Sequence, residues 1–208
     1  TPKIDGKRTT PKEGALELSS VTQRVGSELV DSIMARRANV DQITWRSGVL
    51  LGKLTDSENL ASVYSLEIDP EAIAQSIFEE NIPIVASTGK KKEVMHSTDQ
   101  ESFVQENVIN INADTAATAI AVKLGVNKYI SLTTTGAVLD FEGVRISELA
   151  AEDALKMIKK GHIHSGMVPK ITEAVELIEN GIDSVAITSP NDLLPELFTN
   201  AGKGTIIK

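Results

Sequence analysis

The run Asn110-Ile111-Asn112-Ala113-Asp114-Thr115-Ala116-Ala117-Thr118-Ala119-Ile120-Ala121 constrains the fold more than any other stretch. Asn112 is a good N-cap, Asp114 falls in the first turn where a negative charge complements the helix dipole, and Ala116, Ile120 and Leu124 repeat at helical spacing. The run therefore reads as a loop opening a helix. Its alanines have no bulk to fill space, so the helix suits a close approach by another element or a ligand. Asn110, Asn112 and Asp114 crowd its mouth like a binding site, although capping and turn closure alone would also call for those residue types.

The flanking chain alternates strand, loop and helix. Thr10-Pro11-Lys12-Glu13 has the form of a capping box with proline at the first helical position. Apolar residues from Leu16 to Ile33 then recur at helical steps, and Gly14 and the Ser19-Ser20 pair predict two consecutive helices ending near Ala38. Val40 to Trp45, Val49 to Leu54 and Ser62 to Ile68 are β-like. Asp69-Pro70 caps a helix, and Ile84-Val85-Ala86 is a buried strand. The polar stretch from Lys90 to Glu106 predicts a hairpin or excursion, with Lys90-Lys91-Lys92 a solvated loop. Lys128 to Leu132 is a strand, Ser147 caps a helix ended by Lys159-Lys160-Gly161, and Lys170 opens another. Val185 to Ile187 and Thr205 to Ile207 are the last strands, with a short helix from Asp192 to Phe198 between them. The alternation implies an α/β sheet with helices on both faces.

Composition removes several function classes. The net charge is −8 and the only basic run is short, which argues against nucleic-acid binding. There is no cysteine, hence neither a disulfide nor a thiolate metal site. No apolar stretch reaches the length of a membrane span and no signal peptide is visible, so a cytoplasmic location is expected. His162 and His164 alternate as two ligands on a strand would, but no third ligand accompanies them and no metal site is assigned. A lysine near a helix start, as at Lys170, opposes the dipole and suits an anion there.

Several ordered stretches resemble acetylglutamate kinases, members of the amino-acid kinase family. Asn110 to Ala117 is similar to that family's asparagine-rich motif, and Ser165-Gly166-Met167-Val168-Pro169-Lys170 to its Gly-Gly-Met-hydrophobic-Pro-Lys turn. Leu197-Phe198-Thr199 with Gly202-Lys203-Gly204-Thr205 resembles its closing segment, and Asp5-Gly6-Lys7-Arg8-Thr9-Thr10 its Asn/Asp-Gly-x-Arg-hydrophobic-Thr segment, with Thr9 replacing the apolar residue. Thr133 to Leu139 resembles the nucleotide loop Leu-Thr-Asp-x-x-Gly-Val-Leu. Thr134 there replaces the aspartate, and Gly136 comes one place early. Threonine supplies hydrogen bonds but no fixed charge.

The resemblance implies a three-layer αβα sandwich with a mainly parallel sheet and helices on both faces. It would be a single amino-acid kinase domain over 1–208, with 1–107 the acyl-amino-acid-binding and dimerisation part and 108–208 the nucleotide-binding part. It implies phosphorylation of the side-chain carboxylate of N-acetyl-L-glutamate by ATP with Mg²⁺, an early step of arginine synthesis, in a homodimer or higher homo-oligomer. Lys170 would stabilise the transferring phosphate and Asp114 would orient the catalytic lysine. Arg8 would clamp a substrate carboxylate with its planar fork, and Asn110 would hold the acetylglutamate. Thr133, Thr134, Gly136, His162, Ile163 and His164 would surround the nucleotide.

The family also carries a second catalytic lysine on an early strand and a Gly-Gly-Gly turn, and neither lies upstream of Arg8. The chain thus covers about the last three quarters of the family's length. Two explanations stand: an N-terminally incomplete kinase, which the start at Thr1 favours, or a short relative that binds without catalysing. The rival function is a non-catalytic, arginine-sensing or ligand-binding domain like that fused to acetyltransferases in acetylglutamate synthases. A kinase for another acylated or carrier-linked amino acid is a closer alternative.

Overall fold

The computed structural model describes residues 3–4, 7–97, 99–163, 166–199 and 202–208, with side chains from Thr9 onward. The chain divides into two units, Thr1–Ile120 and Ala121–Lys208. In the first, β1 (Lys3–Ile4) and β2 (Lys7–Arg8) pair antiparallel. Thr10 does not form the expected capping box. Its N–H donates to Asn59 Oδ1 at 3.0 Å and its hydroxyl accepts from Asn110 Nδ2 at 2.8 Å, so a short 3-10 turn at Lys12–Gly14 comes first. The next helix, α1 (Ala15–Met34), runs unbroken where two were expected. Tertiary contacts outweigh the weak local propensity: Ser19 Oγ accepts from Trp45 Nε1 at 3.0 Å, and a Cβ on Gly26 would collide with the Gln42 amide that straps the helix to the next strand.

Strands β3 (Val40–Ile43), β4 (Leu50–Leu54) and β5 (Val63–Ile68) form where their patterns predict them. They are followed by α2 (Glu71–Phe78), β6 (Ile82–Val85), β7 (Thr88–Lys91), α3 (Gln100–Asn107), β8 (Val108–Asn110) and α4 (Ala113–Leu124), within which the division between units falls. β3 pairs parallel with β6. A four-stranded sheet has the order β5-β4-β7-β8, parallel at β4–β7 and antiparallel at the other ladders. Ala15, Trp45, Leu60, Val104 and Val108 form a core between α1, α3 and this sheet's surroundings.

The stretch from Lys90 to Glu106 is more ordered than its polarity predicts. Asp99 Oδ1 accepts the Ser102 N–H at 2.8 Å and caps α3, and Val104 is buried with Phe103 packed beside the core. Asn107 is fully buried and bonds both the N–H and the carbonyl of Met95, which pins the preceding turn. Nor is Lys90-Lys91-Lys92 a loop, since its first two residues end β7 and Lys92 pairs with Glu67.

Gly89 in β7 is closely approached by both backbone and side chain: a Cβ would lie 2.6 Å from the Leu50 carbonyl oxygen and 2.8 Å from Ile111 Cδ1. The Leu50 carbonyl belongs to the neighbouring strand β4 and cannot withdraw without disturbing the sheet, whereas the Ile111 side chain can yield. Gly89→Ala is therefore expected to cost about 2 kcal/mol and to lower Tm by roughly 4–8 °C, measured by thermal denaturation.

In the second unit, β9 (Lys128–Leu132), β10 (Glu148–Leu149), α5 (Ala151–Lys159), α6 (Met167–Glu179), β11 (Ser184–Thr188), α7 (Leu193–Phe198) and β12 (Thr205–Ile207) follow in order. The sheet order is β10-β12-β11-β9, parallel at both ends and antiparallel at β12–β11. Parallel and antiparallel ladders thus mix in both units. Ser147 does not cap α5 as expected, because its carbonyl accepts from Ile206 N–H and the next two residues pair with β12. Ile171, Leu177, Val185, Ile187 and Ile207 centre the core. Among the described residues no helix is long and apolar enough to cross a membrane, and no three His, Cys, Asp or Glu side chains gather to hold a metal ion.

Candidate functional site

The site residues fall into both units. In the first, Asn112 Oδ1 accepts the Thr115 N–H at 3.1 Å and caps α4 as its position predicts, with Asp114 exposed in the first turn. Asn110 ends β8, and its amide is half-buried against Thr10. Asn110, Asn112 and Thr115 line one side of a pocket of about 210 Å³, and residues of β5 from Val63 to Leu66 line the other. Amide groups and hydroxyls over an apolar strand suit a small polar molecule with a hydrocarbon portion. The side chain of Arg8 lies outside the described residues, and so do Asp5 and Gly6; only the Arg8 backbone is placed, in β2.

In the second unit, β9 and β11 run parallel, with Leu132 opposite Thr188, so their carboxyl ends lie side by side. Such ends are where open α/β sheets take their ligands, because the loops leaving them splay apart. Lys170, in the first turn of α6, reaches this edge and its Nζ donates to Ser131 Oγ at 3.3 Å. Beyond β9 the Thr133 hydroxyl accepts the Gly136 N–H at 3.0 Å and meets the Thr135 hydroxyl at 3.0 Å, forming a tight hydroxyl-rich turn. Gly136 has φ +73, and a Cβ there would stand 3.3 Å from that of Ser189, so the turn requires glycine at this place. Thr134 is exposed at its tip. The fully buried Thr188 hydroxyl has no hydrogen-bond partner among the described residues.

His162 and Ile163 do not lie in a strand. His162 follows the left-handed Gly161, its N–H bonds the Met157 carbonyl, and its ring lies 5.8 Å from that of the exposed Phe141. Ile163 is packed into the core, while His164 and Ser165 lie outside the described residues. Ser131, Thr188 and Ser189 escaped the sequence reading. A serine in the otherwise apolar Tyr129–Leu132 run was the available signal for the first.

Among the described residues three carboxyls are held below their ordinary range: Asp99 by the Ser102 N–H, Glu106 by the Lys12 ammonium, and Asp192 by the Ser189 hydroxyl and, less strongly, the Lys203 ammonium. A carboxyl with a depressed folded pKa adds stability above its unfolded pKa and loses it as the pH falls through the folded one. The urea midpoint should therefore hold from neutral pH downward and then fall below about pH 4, as read in a series of equilibrium unfolding curves.

Comparison with known proteins bears on the family and the fold. The sequence profile of the amino acid kinase family matches residues 6–189. The acetylglutamate kinase of Sulfurovum sp. (strain NBC37-1) is 32% identical over 211 residues, covering 99% of this chain and 71% of the relative. That of Gluconobacter oxydans (strain 621H) is 37% identical over 145 residues, covering 68% of this chain and 45% of the relative. The crystal structure of N-acetylglutamate synthase from Neisseria gonorrhoeae complexed with coenzyme A and N-acetyl-glutamate superposes with a TM-score of 0.78 at 22% identity, over 99% of this chain and 46% of the synthase. The α/β architecture expected from the resemblance is thus the one these residues adopt.

Proposed function

The chain belongs to the amino acid kinase family, and from that premise we propose that it transfers the γ-phosphoryl group of ATP to the side-chain carboxylate of N-acetyl-L-glutamate. A carboxylate oxygen attacks the γ-phosphorus, the bond to the β-phosphate bridging oxygen breaks, and an acyl phosphate and ADP result. The observation that carries the reading is Lys170 at the carboxyl ends of two parallel strands beside the hydroxyl-rich turn closed by Gly136. Phosphoryl transfer needs positioning and cations more than covalent help from the protein.

Lys170 neutralises charge on the phosphate in flight. Thr133, Thr134 and Gly136 offer hydroxyls and a backbone turn to the phosphates, and His162 to His164 border the base. The residues fit a nucleotide, since a half-buried ammonium, a buried hydroxyl with no partner among the described residues and a glycine turn meet on one sheet edge. Mg²⁺ would ride on the nucleotide's phosphates, with no protein ligand assigned. Asn110 and Arg8 bind the acyl amino acid, and Asp114 organises the cations of the reaction. Val21, Val25 and Leu29, exposed along one face of α1, support a homo-oligomer.

A ligand-binding domain without catalysis is the second reading, favoured by Thr134 where a kinase of this kind has an aspartate. Calorimetric titration separates the two. The kinase binds both N-acetyl-L-glutamate and MgATP, whereas a sensor binds the amino acid and ignores the nucleotide. Failure of a folded sample to bind either would sink the site assignment.

A further inference from the structure

A second pocket, of about 390 Å³, lies in the first unit, and the proposed reaction leaves it unused. Lys53 and Lys91 face it from β4 and β7, Leu54 and Met95 give it an apolar flank, and Glu93 and Glu106 complete the charged lining. These charges are not evenly matched. Glu106 is held by Lys12 in an ion pair of 2.5 Å, and Lys53 leans on the solvent-exposed Glu93 at 3.6 Å, a contact of little strength. Lys91 is half-buried and, among the described residues, makes no side-chain hydrogen bond or close ion pair; Glu106, its main counter-charge, acts on it through space while bound to Lys12. Burial of Lys91 pushes its ammonium below the ordinary lysine value.

A desolvated cation with no directly bonded counter-ion is costly, and folded proteins normally supply a contact partner. Here the partner can come from solution. The two carboxylates in the lining leave the pocket close to neutral, which disfavours a dianion, and its volume and apolar flank exceed what a bare ion can use. We propose that this pocket binds a small organic monocarboxylate, its carboxylate against Lys91 Nζ and its hydrocarbon chain along Leu54 and Met95.

The whole chain, labelled with ¹³C at its methionine methyls, can be titrated with hexanoate, and separately with inorganic phosphate and hexylamine at matched ionic strength. Met95 is assigned by Met95→Leu. The Met95 methyl signal should move saturably with hexanoate alone. Lys91→Met should weaken the apparent affinity by about tenfold or more, while Lys91→Arg and Lys92→Met stay close to the parent. The remaining methionine signals report that each variant is folded. No saturable shift with hexanoate, unchanged affinity in Lys91→Met, or equal binding of phosphate or hexylamine would each overturn the assignment. The outcome is independent of whether the chain phosphorylates N-acetyl-L-glutamate.

Discussion

Lys170→Met is expected to lower turnover of N-acetyl-L-glutamate by about 10²–10³-fold, with the melting temperature unchanged or slightly raised. The side chain is half-buried at the carboxyl ends of β9 and β11, with Nζ 3.3 Å from Ser131 Oγ. A cation fixed there acts on charge that gathers on the transferring phosphoryl group, and it needs no reorganisation when the reaction occurs. Methionine keeps the length and loses the charge. The fold should not suffer, because a positive charge in the first turn of α6 opposes the helix dipole. The loss should appear mainly in kcat, with KM for ATP moving less, since the interaction strengthens as charge develops. A variant within threefold of the parent would remove Lys170 from the chemistry.

Glu196→Ala should destabilise the fold by about 3 kcal/mol, with a fall in Tm of roughly 6–12 °C. Glu196 is 2% exposed, an unusual position for a carboxylate. Its Oε1 accepts the Gly204 N–H at 2.7 Å, its Oε2 lies 4.0 Å from Lys128 Nζ, and the same ammonium bonds the Glu196 carbonyl. Glycine at 202 and 204 makes the room: a Cβ at the first would strike the carboxylate, and at the second the Ile187 carbonyl and Thr188. Alanine would leave a buried N–H without an acceptor, Lys128 without its counter-charge though still on the backbone carbonyl, and a void. Glu196→Gln keeps the acceptor and should cost less than half as much. The damage should spread to the turn at Thr133, since Thr205 follows Gly204 directly and its hydroxyl accepts the Val138 N–H at 2.8 Å while donating to the Ile146 carbonyl. Differential scanning calorimetry on the two variants measures both the cost and the difference.

Local signals were legible where local chemistry decides. Asn112 caps α4 because a short side-chain acceptor is all that position needs, and Gly136 sits at a left-handed turn that few other residues adopt. The strands from Val40 to Ile68 show their alternation. Signals failed where distant residues decide. α1 is continuous because Trp45 and Gln42 engage its serines and its glycine, and neither is near in sequence. α3 escaped notice because its sequence is polar, with Phe103 and Val104 as its apolar ties to the core. Ser147 lost its capping role to strand pairing with Ile206. Glu196 reads as one more charge on a short helix until its bond to the Gly204 N–H is seen. At the site, the lysine, the threonine turn and the asparagines were recognised through ordered motifs, whereas Ser131, Thr188 and Ser189 emerged only when β9 and β11 were seen to end together.

Trapping with hydroxylamine tests the central claim most directly. An acyl phosphate reacts with hydroxylamine to give a hydroxamate, which a ferric salt reveals by colour. With the folded chain, N-acetyl-L-glutamate, ATP and Mg²⁺, hydroxamate should accumulate with time, require both substrates, and fall to near background with Lys170→Met. If a folded sample that binds both ligands forms no hydroxamate, or if Lys170→Met forms it at the parent rate, phosphoryl transfer by this site is contradicted.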